Sequence, residues 1–128
     1  MLTEQKMKAA LQQYLDGFNQ QDADAIITLF ADNARIEDPV GSEQIVQGKE
    51  AITTFYKGAV KVVERLELDT PIRSSYSNYA AMAFTIHMVI DGQKRVTRAI
   101  DVMTFDNTGK IIDMKAYHGP SDSAQPQL

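Results

Sequence analysis

The stretch YAAMAFTIHMVIDGQKRVTRAIDVMTFDNTGKIIDMKAYH, residues 79–118, decides the fold. Turn signals cut it into three segments. Tyr79 to Ile90 runs into Asp91-Gly92, a dipeptide that accepts positive φ cheaply and so closes two-residue hairpins. Arg95 to Phe105 runs into Asp106-Asn107-Thr108-Gly109, and Lys110 to His118 follows. Each segment is rich in β-branched, aromatic and methionine residues, and each is bounded by turn residues. The spacing predicts a three-stranded antiparallel meander.

Upstream the apolar period is helical. Met7, Ala10, Leu11, Tyr14, Leu15 and Phe18 share one face of a helix over 3–19, with Thr3 as its cap. A second helix is predicted from Asp22 to about Asp32-Asn33, then a short strand over Ala34 to Asp38 that stops at Pro39. Val40-Gly41-Ser42 opens a loop. A third helix is predicted over 48–59, with Ile52, Phe55 and Tyr56 inward, and a strand over Val60 to Leu68. From Gly119 the Ser, Pro and Gln content predicts a frayed tail. This order, helices first and a meander after, predicts an α+β domain spanning residues 1–128: three N-terminal helices packed on one face of a curved, mixed, mostly antiparallel sheet. A bent sheet wrapped round helices makes a cone, and a cone has a mouth where a ligand fits.

Composition narrows the function classes. The chain has 128 residues, 13 Lys plus Arg against 17 Asp plus Glu, and a formal charge of −4. A nucleic-acid partner calls for a concentrated basic surface, which this balance argues against. The absence of cysteine removes disulfides and thiolate chemistry from consideration. No basic start followed by an apolar run opens the sequence, and its apolar stretches fall short of a membrane span, so the default reading is a cytoplasmic protein with no membrane partner, and a processed, secreted chain is the alternative.

Three polar groups stand in apolar company. Asp101 lies on a strand with Thr97, Ala99, Met103 and Phe105 on its own face. The opposite face carries Val96, Arg98, Ile100 and Val102, and pattern alone does not decide which side meets a cavity. A carboxyl in such a place pairs with a cation or takes a proton. Tyr14 shares the apolar face of the first helix, and Tyr56, inward on the third, is a candidate hydrogen-bond neighbour. Asp38 ends a strand before Pro39, where surface turn carboxylates are common. A carboxylate near a neutral carboxylic acid and a phenol suits proton transfer beside a carbonyl. His87 and His118 are candidate bases, but their spacing matches no metal motif. Met82, Met88, Met103 and Met114 with Phe84 are able to line a cavity or simply fill the core.

The segments Phe30-Ala31-Asp32-Asn33-Ala34, Glu37-Asp38-Pro39-Val40-Gly41, Phe55-Tyr56, Met82-Ala83-Phe84, Ile100-Asp101-Val102-Met103 and Met114-Lys115-Ala116-Tyr117 resemble those of Δ5-3-ketosteroid isomerases, within the superfamily of nuclear transport factor 2. The resemblance reaches to about Gly119. It implies Asp38 as the catalytic base, Tyr14 and Asp101 as donors to an oxyanion, and Tyr56 behind Tyr14. It implies Phe30, Val40, Phe55, Met82, Phe84, Met103, Met114, Ala116 and His118 as substrate-binding or supporting residues. It further implies a homodimer, no cofactor, and a small apolar ketone, a 3-oxosteroid, as ligand. Ketosteroid isomerases are the established case of a carboxylic acid kept neutral by its site. His118 departs from the family, standing where a bulky aromatic is expected beside the base. A histidine beside an acid fits the rival reactions of the same fold: dehydratase, cyclase or epoxide hydrolase. A non-enzymatic dimeric binding module is the other alternative, and it predicts an ionised Asp101 paired with Arg98.

Overall fold

The computed structural model describes residues 1–125. Helix α1 spans Glu4–Asn19, α2 Ala23–Ile27 and α3 Lys49–Val62; the strands are β1 Phe30–Glu37, β2 Ile45–Gln47, β3 Val63–Leu68, β4 Tyr79–Ile90, β5 Gln93–Phe105, β6 Ile111–Tyr117 and β7 Ser123–Ala124. The sheet order is β2-β1-β6-β5-β4-β3, with β7 added beside β5. Only the β1–β6 pair is parallel among these. The three helices pack on one face of the sheet, as the pattern predicts. None is long and apolar enough to cross a membrane.

The meander forms where its turn residues dictate. Asp91 and Gly92 both take positive φ, 51° and 77°, the geometry that matches the twist of two paired strands. Beyond it the β4–β5 register runs unbroken from Ile90↔Gln93 to Tyr79↔Thr104. The α1 cap also forms, with Lys6 N–H donating to Thr3 Oγ1 at 3.1 Å. Asn19 then ties the end of α1 to edge strand β3 through both Leu66 backbone groups, at 2.7 and 3.1 Å.

Four boundaries differ from the sequence reading. Helix α2 stops at Ile27 instead of Asp32-Asn33, because Phe30 enters the sheet opposite Ile111 and is fully buried. The carbonyls left at this junction are satisfied from afar: Lys49 Nζ bonds Ile27 and Phe30, and Lys110 Nζ bonds Thr28. Helix α3 runs three residues further than expected, to Val62. Residues 45–47 form an edge strand paired with β1, too short for the half-buried Val46 between exposed Ile45 and Gln47 to reveal it in the sequence. The segment after Gly119 is not frayed through its described part: Pro120–Asp122 make a 3-10 turn and Ser123–Ala124 pair with Thr97 and Val96. Residues 126–128 of that predicted tail lie outside the described residues.

Gly17 shows how closely α1 meets α2. A Cβ there would stand 2.6 Å from Ile26 Cγ1 and 3.2 Å from the Asp22 carbonyl oxygen. Ile26 has no free space to retreat into, being fully buried. Gly17→Ala is expected to destabilise the fold by about 1–3 kcal/mol, the usual cost of overpacking. A urea titration checks this, and an unchanged midpoint would contradict the packing described.

Candidate active site

Between the helices and the inner face of β4 and β5 lies a cavity of about 210 Å³. Tyr14, Asp38, Asp101 and His118 line it together with Phe18, Phe55, Phe84, Ile86 and Met88. So four ionisable side chains, from α1, β5 and the residues that follow β1 and β6, converge on one apolar space.

Asp101 is the most telling of them. It is 2% exposed, and its strand neighbours across the sheet are Met82 and Ala116. Among the described residues it makes no ion pair; Arg98 points from the opposite, exposed face of β5. Burial, with Asp38 as a second and negative influence, pushes its carboxyl pKa well above the ordinary range. A carboxyl so placed holds its proton and can donate it in a hydrogen bond.

Tyr14 is also buried, and its hydroxyl stands 3.0 Å from that of Tyr56. Tyr56 is clamped edge-on by Phe55, with ring centroids 5.0 Å apart, and lies 5.4 Å from Phe30. Its own hydroxyl donates to the Met114 sulfur at 3.6 Å. A thioether is a weak acceptor, so this proton can turn to Tyr14 at little cost. Tyr14 is then free to donate into the cavity. Both phenols are raised well above their ordinary pKa, chiefly by burial, and stay protonated.

Asp38 follows β1 at the cavity edge. Its N–H bonds the Gln44 carbonyl at 3.2 Å, and the turn beyond it is pinned to β6 by Val40 N–H donating to Ala116 O at 2.8 Å. Asp38 Oδ1 lies 3.1 Å from His118 Nε2, with the two side chains 27% and 23% exposed. Glu37, one residue earlier, faces away and is held by Arg35 and the Gly41 N–H. His87 is outside the site, 3.1 Å from Glu67 on β3.

The residues predicted to bind or support a substrate divide between cavity and core. Phe55, Phe84, Ala116 and His118 reach the cavity, but Phe30, Met82, Met103 and Met114 are buried in the core behind it. The helices close over that half of the sheet and leave no space there. Val40 lies at the surface, where its backbone and not its side chain serves the site. Phe18, Ala59, Val62, Val63, Leu66 and Ile86 line the cavity without having been singled out. Phe18 was legible as the next turn of the Tyr14 face. The α3–β3 corner was not, since its predicted boundary lay three residues early.

The SnoaL-like domain family model matches residues 11–114, most of the chain. The chain belongs to the SnoaL-like family. Within reach of that family it is 37% identical over 117 residues to a steroid Delta-isomerase of Nocardioides simplex, covering 91% of this chain and 93% of the relative. It is also similar to the solved structure of SalBIII, an epoxide hydrolase/cyclase-like enzyme of pyran ring formation in the polyether salinomycin. That similarity has a TM-score of 0.87 and 28% identity, covering 95% of this chain and 97% of that one. The chain is therefore similar both to an isomerase and to an epoxide hydrolase/cyclase-like enzyme.

Proposed function

We propose that this protein is a cofactor-independent steroid Δ-isomerase that moves the β,γ double bond of a 3-oxo-Δ5-steroid into conjugation. The observation that carries the reading is Asp101, a carboxyl buried without a cation and facing the same apolar cavity as Asp38. The 37% identity to a steroid Delta-isomerase supports it.

In this mechanism the ketone oxygen lies against Tyr14 and Asp101. Asp38 takes a proton from the carbon between the carbonyl and the double bond. The C–H electrons pass into a dienolate whose negative charge rests on the ketone oxygen. Two donors held in an apolar space stabilise that charge better than they stabilise the neutral ketone. Asp38, now protonated, returns the proton to the γ carbon, and the electrons re-form the carbonyl with the double bond conjugated. One carboxylate serves both steps because it stays over one face of the ligand. The rise of conjugated-enone absorbance with 5-androstene-3,17-dione tests the reading, and no rise from purified protein would reject it.

The protein acts as a homodimer in this reading. Tyr79, Ile100 and Tyr117, exposed on the sheet face away from the helices, support association there.

One observation favours a second reading, a cyclase or hydrolase acting on another apolar ketone or epoxide. His118 beside Asp38 makes an acid–histidine pair, and SalBIII is the structural relative in that class. The two readings separate at His118→Phe. An isomerase keeps its base and loses only one hydrogen bond to it, so turnover is expected to fall about tenfold, the low end for one hydrogen bond to a charged group. A reaction that needs the imidazole to move a proton loses about 10²–10⁴-fold.

A further inference from the structure

The cavity is not symmetrical along its length. Asp101 stands at one end, and along the same face of β5 come Ala99, then Thr97, then Arg95. Their partners on β4 are Phe84 for Ala99, Ile86 for Thr97 and Met88 for Arg95. The first two pairs line the cavity, and so does Met88. Arg95 therefore sits on the cavity face, one pair beyond the lining, at the far end from Asp101. The cavity opens there: Val62, also a lining residue, is 38% exposed.

The charge at this end is unlike that of the whole. The chain carries −4, yet Lys94 and Arg95 are adjacent and exposed, and among the described residues neither makes an ion pair. Glu64 stands nearby, while Glu67 is engaged by Arg65 and His87. An apolar channel with oxyanion donors at its inner end and an uncommitted guanidinium at its mouth selects for a ligand with two different ends.

We propose that Arg95 binds a carboxylate at the far end of the ligand, so that the preferred substrate is a polycyclic ketone with an acidic side chain on the ring remote from the ketone. This rests on the isomerase reading for which end carries the ketone. Six residues of extended strand separate Asp101 from Arg95, about 20 Å at ~3.3 Å per residue. A bare four-ring nucleus with its ketone at Asp101 falls well short of that span, and a short flexible side chain ending in a carboxylate covers it. Guanidinium is suited to the task because its fork matches both carboxylate oxygens.

Equilibrium binding of a conjugated product pair tests this without turnover. The probes are 3-oxochol-4-en-24-oic acid and its methyl ester, titrated calorimetrically into wild type, Arg95→Gln and Arg95→Glu. An apolar channel alone favours the ester, since the acid must shed water from a charge. Arg95 is expected to raise the acid-to-ester affinity ratio by up to about fivefold, the upper end for an exposed ion pair, and so to bring it above one in wild type. The ratio is expected to fall to one or less in Arg95→Gln and to favour the ester further in Arg95→Glu. Arg95 is exposed, so both variants are expected to melt as wild type does. A ratio at or below one in wild type, or one that Arg95→Gln leaves unmoved, overturns the inference and leaves the isomerase reading standing. The expected ratios in a protein that turns over no Δ5-3-ketone would uphold Arg95 and reject isomerisation. Failure of both probes to bind overturns both.

Discussion

Asp38→Asn is expected to lower turnover of 5-androstene-3,17-dione by about 10⁴-fold, the top of the range for a positioned base. The amide is the same size and its oxygen still accepts a hydrogen bond, so the contact with His118 Nε2 at 3.1 Å can survive. What is lost is the basic electron pair. No other carboxylate stands in for it. Asp101 is the remaining carboxyl of the cavity lining, and burial keeps it protonated. Glu37 faces away, held by Arg35 and Gly41. Asp38 is partly exposed, so its replacement leaves folding intact and the loss falls on kcat. Initial rates at the conjugated-enone band, beside a melting curve for each protein, check this. A variant within tenfold of wild type would mean that Asp38 is not the base.

The second large effect is at Tyr14 and Asp101, the proposed oxyanion donors. Tyr14→Phe and Asp101→Leu are each expected to cost about 10²–10³ in kcat, or about 3–4 kcal/mol of transition-state stabilisation. Asp101→Asn keeps an N–H donor and is expected to lose less than Asp101→Leu. Tyr14→Phe also releases Tyr56, whose hydroxyl then keeps the Met114 sulfur as acceptor. In the proposed mechanism both donors meet one oxygen, so the double variant is expected to lose less than the product of the single losses.

Stability moves the other way at Asp101. Its folded-state pKa is raised, so the folded protein binds this proton more tightly than the unfolded chain does. That contribution is complete below the ordinary carboxyl range and is lost as pH rises through the raised native value. Asp101→Leu has no such term. Its denaturation midpoint is therefore expected to gain on that of wild type as pH rises from about 4 toward neutrality and beyond. Parallel midpoints over that span would show that Asp101 is ionised in the folded state, and the donor role would fall with it. A group that weakens the fold at working pH while improving the reaction is the usual trade at an active site.

Much of this was legible in residue order. Asp91-Gly92 marks one turn of the meander because few residues accept its backbone angles, and Asp106 to Gly109 the other, where the Asp106 carboxylate accepts from Thr108 and Lys110 N–H and Gly109 takes positive φ. The Tyr14 face of α1 follows from 3.6-residue spacing, and alternation within β5 groups Asp101 with Ala99 and Met103 without deciding which face meets the cavity. Local chemistry decides each of these, and each survives in the fold.

What escaped the sequence depends on partners far away in it. Phe30 leaves the helical pattern because Ile111 offers a strand to join, and residues 45–47 become strand because β1 has an open edge. Ser123 and Ala124 are ordered by pairing with Thr97 and Val96. Likewise, Met82, Met103 and Met114 looked as suited to a cavity wall as Met88 did; only the position of the helices makes three of them core and one of them lining. The residue types that allow a proton to be moved beside a carbonyl stand in the sequence itself. Their surroundings were decided by the tertiary structure, because burial raises the Asp101 carboxyl pKa, and folding alone brings His118 to Asp38 across 80 residues of chain.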